Sequence, residues 1–219
     1  MGQLVDFIRA PAKIGRNIGG RLANKTPEVI AKAKEFGFDY WDGDRKYGYG
    51  GYSYDGRWRA VATRLIEHYR LKTGDKVLDI GCGKGFLVYD LVSCSTPMNA
   101  RGIDISDYAI ENSFDEIRDR LMLGSAVELP FETSEFDLVV SFNALHNLSR
   151  EDVKLALREI NRVSKSSAFV QVDSYTSTEE KKIFEDWVLT AEFHDYPDGW
   201  LSLFEEVGYN GDYFWTVIK

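Results

Sequence analysis

VLDIGCGKGF, residues 77–86, joins a continuous apolar run to three alternating glycines and then to a second apolar segment, GFLVYDLVS (85–93). The first run, KVLDI (76–80), is short and apolar throughout, as a strand buried on both faces must be. The second is long enough for a helix. Glycines between them let the backbone turn sharply and approach a ligand, and the helix start offers free N–H groups. A dinucleotide turn needs G-x-G-x-x-G, but Gly81, Gly83 and Gly85 are spaced G-x-G-x-G and are followed by Phe86. Asp79, two residues before the first glycine, is ill-placed beside a pyrophosphate and suits a ligand with a cationic end.

Downstream, the same alternation continues. NARGIDI (99–105), FDLVVSF (136–142) and SAFVQVDSY (167–175) read as strands. SDYAIENSFDEIRDRL (106–121), REDVKLALREINRV (150–163), IFEDWVLTAEF (183–193) and WLSLFEEVGY (200–209) read as helices, and DYFWTVIK (212–219) as a closing strand. Strand–helix alternation implies a mostly parallel, doubly wound sheet in a three-layer α/β/α sandwich. Upstream, RWRAVATRLIEHYR (57–70) sets Trp58, Val61, Leu65 and Tyr69 on one helical stripe. PEVIAKAKEFG (27–37) has Pro at its start and Gly at its end, as a helix should. Residues 1–39 read as two short helical segments broken by Pro11 and the GRNIGGR stretch (15–21), the first with Leu4, Val5, Phe7 and Ile8 on an apolar face.

Between these lies YWDGDRKYGYGGYSYDGRW (40–58), with five tyrosines, two tryptophans and five glycines in nineteen residues. So many rings on so loose a backbone need a surface to cover. A hinged lid over the carboxyl ends of the strands meets that need, and so does a fixed aromatic plug. Tyr47, Tyr49, Tyr52, Tyr54 and Trp58 are its candidate substrate-facing residues.

The chain has 219 residues and a net charge of −8. Residues 1–75 carry 14 Lys and Arg against 9 Asp and Glu, whereas 76–219 carry 13 against 26. An acidic body argues against nucleic-acid binding. No run of eighteen apolar residues and no secretory leader is present, and two cysteines make no disulfide framework, so a cytoplasmic protein is expected. No metal-ligand spacing appears.

Four blocks together resemble the class I, Rossmann-like S-adenosylmethionine-dependent methyltransferases: VLDIGCGKG (77–85), GIDIS (102–106), GSAVELPF (124–131) and FDLVVSFNALHNL (136–148). The likeness covers residues 57–219, leaving 1–56 as an N-terminal helical and lid segment. It implies S-adenosylmethionine as cofactor, held by Asp79, Gly81, Cys82, Gly83 and Gly85 at the methionine end. Asp104 would meet the ribose hydroxyls, the segment with Ser125, Ala126 and Val127 would flank the adenine, and Ile105 and Asn143 would also bind the cofactor. Ser125 departs from the pattern, which has an acid there. His146, after the fourth strand, is the first candidate base and His194 the second; His146 reads equally as a pocket wall, and His194 more readily as a surface or packing residue. The resemblance also implies an antiparallel last strand, Asp212 to Ile218. A small-molecule acceptor (sugar, amine or carboxylate metabolite) is expected, with a protein acceptor or a non-catalytic cofactor-binding module as alternatives. Homodimer formation is compatible with this reading.

Overall fold

The computed structural model describes residues 2–9 and 16–218. Six strands form one sheet in the order β3-β2-β1-β4-β5-β6, with every neighbouring pair parallel. The strands are β1 (Lys76–Ile80), β2 (Asn99–Asp104), β3 (Leu121–Leu123), β4 (Phe136–Phe142), β5 (Ser164–Ser174) and β6 (Asp212–Val217). Chain order reverses between β1 and β4, where an open α/β sheet opens a crevice at its carboxyl ends.

Alternate strand residues enter opposite layers. Val77, Ala100, Leu138, Val140 and Phe169 pack against α4 (Arg57–Tyr69) and α5 (Phe86–Ser93). Leu78, Ile80, Ile103, Val139, Val170 and Val172 pack against α7 (Arg150–Val163) and α9 (Pro197–Val207). The predicted stripe on α4 holds: Val61 and Leu65 are buried, with Trp58 and Tyr69 packed beside them. The sandwich is therefore as expected.

Several expectations need correction. The helix read over 183–193 runs instead from Thr178 to Trp187, with 188–193 outside it, and the expected break at GRNIGGR carries the helix Ile18–Ala23. β6 runs parallel to β5, not antiparallel. After β5 the chain passes through α8 (Thr178–Trp187) and then α9, whose Trp200, Leu203 and Phe204 are fully buried against the sheet. A helix lying across the sheet returns the chain to the amino ends, so the next strand must be parallel. Residues 106–121 are not one helix: α6 (Asp107–Glu111) ends early, a 3₁₀ segment follows at Asp115–Arg120, and Leu121–Leu123 form the edge strand. The start of the chain is extended. Val5 N–H donates to Tyr213 O, and Tyr213 N–H to Gln3 O, so Gln3–Val5 flank β6 while Phe7 is buried against Phe169. The expected break at Pro11 lies outside the described residues.

Ahead of α4, the chain forms α1 (Ile18–Ala23), α2 (Pro27–Lys34) and the single turn α3 (Phe38–Trp41). Thr26 caps α2 by accepting from Val29 N–H, with Pro27 at the first helical position. Among the described residues no helix is long and apolar enough to cross a membrane.

Candidate active site

At the end of β1 the chain takes positive φ at Gly81 (74°), Gly83 (54°) and Gly85 (72°). A side chain on Gly83 would meet the Trp41 indole, 2.7 Å from the Cβ position. Most N–H groups of this loop are already used. Gly81 and Cys82 both donate to Ile103 O, Gly83 to Asp104 Oδ2 (2.7 Å) and Gly85 to Cys82 O. The loop thus offers a close backbone surface rather than a row of free donors. Cys82 is buried, and its thiol is pushed well above its ordinary range by that burial, with Asp104 and Asp79 adding to it.

Two carboxyls frame the loop. Asp104 ends β2 and accepts from the N–H groups of Gly83 and Ser106 (2.7 and 2.8 Å). Burial raises its pKa and those backbone donors pull it back. Asp79 is 4% exposed and forms no hydrogen bond or ion pair among the described residues. Burial, then the neighbouring Asp104 charge, pushes it up to about 8. A buried carboxyl without a partner is costly as an anion and prepared for a cation.

Beyond Asp104, Ile105 is 54% exposed, an apolar surface at the sheet end. The turn at 125–127 lies beside it: Gly124 N–H donates to Asp104 O, and Ser125 Oγ accepts weakly from Val127 N–H (3.4 Å). Ala126 packs on the core beneath. Asn143 has φ 52°, donates its N–H to Gln171 O and accepts from Thr216 Oγ1, so its side chain turns toward β6.

The aromatic stretch lies over the loop. Trp41 Nε1 donates to Ser106 Oγ and Phe36 O, both at 2.9 Å. Tyr49 stacks on Trp41 (5.4 Å between centroids), and Tyr52 stacks on Phe86 and lies 4.5 Å from Tyr49. Asp42 ties this layer to the loop. It receives Lys84 Nζ (2.6 and 2.8 Å), Tyr108 Oη and Tyr52 N–H. Burial pushes Asp42 up, but those donors outweigh it and hold the carboxyl below its ordinary value.

The predicted lid residues divide. Tyr49 stacks on Trp41, the ring that covers Gly83, and Tyr52 stacks on Phe86 just after the loop. Trp58 packs on Phe142 at 5.3 Å. Tyr54 donates to the buried Asp90 on α5 (2.6 Å), which anchors the far end of the stretch. Tyr47 faces Val29, Ala33 and Leu189, away from the loop.

On the β4–β5 side, His146 is 5% exposed, and both its ring nitrogens face Asp173. Nδ1 is 3.4 Å from Asp173 N and Nε2 is 3.4 Å from Asp173 Oδ2. A backbone N–H can only donate, so Nδ1 is the acceptor and the proton sits on Nε2, toward the carboxylate. Burial raises Asp173, opposed by His146, Arg16 and His194. Tyr49 reaches the same region: burial raises its phenol, Tyr40 lowers it, and Asp173 and Asp104 raise it further. His194 lies outside this pair, with Nδ1 3.0 Å from Tyr175 Oη, in a cleft of about 220 Å³ that also holds Lys34 and Glu185. Burial lowers its pKa.

Comparison with known proteins bears on the family and the fold. Residues 78–171 match the methyltransferase domain family. Residues 78–171 are a methyltransferase domain of the class I fold. Demethylmenaquinone methyltransferase of Staphylococcus aureus is 33% identical over 112 residues, 49% of this chain and 46% of the relative. The chain thus matches less than half the length of that relative. The YcgJ protein of Bacillus subtilis shares the fold with TM-score 0.57 and 20% identity, covering 67% of this chain and 66% of that one. Phosphoethanolamine N-methyltransferase 2 of Haemonchus contortus, solved with phosphomonomethylethanolamine and S-adenosylhomocysteine, matches with TM-score 0.55 and 16% identity over 94% of this chain and 44% of its own.

S-adenosylmethionine is the cofactor of such a methyltransferase domain, and the residues present fit it. A partnerless acid stands where a cationic amino group needs one, carboxylate lone pairs remain on Asp104, and Ile105 leaves apolar surface for a flat ring. Sequence reasoning missed Trp41, Asp42, Lys84 and Asp173. The first two sit inside the aromatic stretch and Lys84 inside the glycine motif, so their neighbourhood was visible although their pairing was not.

Proposed function

We propose that the protein transfers the methyl group of S-adenosylmethionine to a small-molecule acceptor, a sugar, an amine or a carboxylate metabolite. Asp79 carries this reading: a buried, unpaired acid beside a glycine loop, at the switch point of a parallel sheet, answers to a ligand with a cationic end. Asp79 would hold the amino end, Asp104 the ribose hydroxyls, and Ile105 with residues 125–127 the adenine. Bound S-adenosylmethionine supplies a methyl group on a positively charged sulfur. The chain's own contribution is alignment and the exclusion of water. His146 and Asp173 hold a proton-accepting pair on the acceptor side, and the aromatic layer shields it. The test is titration of purified protein with S-adenosylhomocysteine, then labelled S-adenosylmethionine against metabolite pools. Absence of cofactor binding at micromolar concentrations would refute the reading.

Asp104→Ala is expected to weaken S-adenosylhomocysteine binding by about 1.5–3 kcal/mol, the range for losing a charge-assisted acceptor. Calorimetry measures it; unchanged affinity in a folded variant would put the ribose contact elsewhere.

Residues 40–58 act in this reading as a lid, because Trp41 and Tyr49 lie over Gly83 and the Asp42–Lys84 pair can latch and release them. S-adenosylhomocysteine should slow amide hydrogen exchange across 40–58. Tyr49→Ala, at a residue 44% exposed, should reduce turnover far more than melting temperature. Exchange that ignores the ligand, with a large fall in melting temperature, would make the stretch a fixed plug.

A further inference from the structure

Three guanidinium groups converge on one indole beside the acceptor side of the site. Arg21, Arg45 and Arg16 lie 4.8, 5.3 and 5.8 Å from the Trp187 ring centroid. They come from two separate segments, Arg16 and Arg21 from around α1 and Arg45 from the aromatic stretch, and they meet at the end of α8. Among the described residues none of the three forms an ion pair with a carboxylate. The acids nearby are otherwise engaged: Asp186 pairs with Lys182 at 2.9 Å and Glu185 faces Lys181 at 3.9 Å. Arg21 is 9% exposed, and the Arg45 charge adds to burial in lowering its pKa. Like charges gathered without a counterion repel, and the Trp187 face offsets only part of that.

Their donors are also largely unspent. Arg21 gives one N–H to Lys46 O (2.9 Å) and one to Gly48 O (3.1 Å), and Arg45 gives one to Gly48 O. Each guanidinium has five. The Arg16 guanidinium makes no hydrogen bond among the described residues, where only its carbonyl is used, accepting from Ile18 N–H. The cluster reaches the candidate site electrostatically: Arg16 is among the charges lowering Asp173, Arg45 acts on Tyr49, and Tyr40 acts on Arg21. Forked donors of this kind suit planar or tetrahedral oxyanions.

We infer that Arg16, Arg21 and Arg45 form an oxyanion-binding site that receives a phosphate or carboxylate group of the methyl acceptor. The oxyanion site stands on the arginines alone; its role as an acceptor handle rests on the methyl-transfer reading. Arg21 holds two carbonyls of the aromatic stretch, so it also couples an occupied site to the closed lid. Carboxyls deep in the pocket and guanidinium groups at its edge would select an acceptor with its negative end outward.

The test is calorimetric titration of the full chain, saturated with S-adenosylhomocysteine, using inorganic phosphate and then acetate at constant ionic strength. One of the two is expected to bind at low millimolar concentration, and which one binds distinguishes phosphate from carboxylate. Arg16→Gln should weaken that binding at least about fivefold while melting temperature and S-adenosylhomocysteine affinity hold; Arg45→Gln should weaken it as much but also lower the melting temperature, because Arg45, like Arg21, holds Gly48 O in the loop. No binding up to about 100 mM, or equal binding by the variants, would overturn the inference. Vesicles containing phosphatidic acid are the third arm: arginine-dependent capture on them without binding of the dissolved anions would make this a lipid-headgroup surface and overturn the acceptor role. Anion binding that survives while S-adenosylhomocysteine fails to bind would keep the oxyanion site and remove methyl transfer.

Discussion

S-adenosylhomocysteine affinity is expected to rise roughly fifty-fold between about pH 6 and pH 8 and to level off above that. The origin is Asp79, pushed up to about 8 by burial and by the nearby Asp104 charge. In the free protein the group is mostly protonated at pH 6 and half ionised near 8. A ligand with a cationic amino end favours the ionised form, so binding expels the Asp79 proton. Affinity must therefore increase with pH, by about tenfold per unit well below the pKa. Stability of the free protein moves the other way. The folded-state pKa of Asp79 lies above its unfolded value of 3.8, so its contribution is fully present below about pH 4 and is lost as pH climbs toward 8. Ligand and proton thus compete for one carboxylate. Calorimetry in two buffers of different ionisation enthalpy would count close to one proton released near pH 6. Asp79→Asn should bind weakly and flatten the profile. A wild-type affinity that does not change between those pH values would remove Asp79 from the amino end of the ligand.

What the sequence made legible follows from how local each signal is. β1, the glycine turn and α5 were readable because a fully buried parallel strand is an unbroken apolar run and the turn needs positive φ at 81, 83 and 85. Helix 150–163 was readable from its caps and period. The direction of β6 was not, because DYFWTV carries the same pattern whichever way it runs. Only the crossing of α9 over the sheet sets it. β3 is three residues long, too short for a period, and the charged run before it looks helical. The start of α8 was misjudged although Ser177 and Glu180 mark it with a capping pattern.

The site shows the same division. Asp79, Asp104 and the aromatic stretch were legible as chemistry next to a turn. The Asp42–Lys84 pair spans 42 positions, and the three arginines meet over a tryptophan more than 140 positions further on. Contacts of that kind are made by topology, which no window of sequence contains. Asp173 is the plainest case. In VQVDSY it is one polar residue at a strand end, and the folded chain turns it toward His146.

His146→Ala is expected to lower turnover about a hundredfold or more while S-adenosylhomocysteine affinity stays near that of the unaltered protein. The separation follows from position. His146 lies after β4, on the side proposed for the acceptor, whereas the residues proposed for the cofactor lie on β1, β2 and the turn after β3. Its Nδ1 accepts from Asp173 N–H, and its Nε2–H points at the Asp173 carboxylate, so removing the ring affects two things together. It takes away a group able to receive the acceptor's proton once the pair shifts, and it leaves a buried carboxyl without its donor. Asp173→Asn separates these effects. If the carboxylate mainly orients the imidazole, this variant keeps part of the activity and loses the acid limb of the pH–rate profile. If the carboxylate itself receives the proton, Asp173→Asn falls as far as His146→Ala, and added imidazole does not rescue the His146 variant. Single-turnover measurement with saturating cofactor is the right readout, because product release would mask a chemical step. A loss below about threefold in both variants would make the pair a wall of the pocket, the outcome expected for an acceptor that arrives already deprotonated.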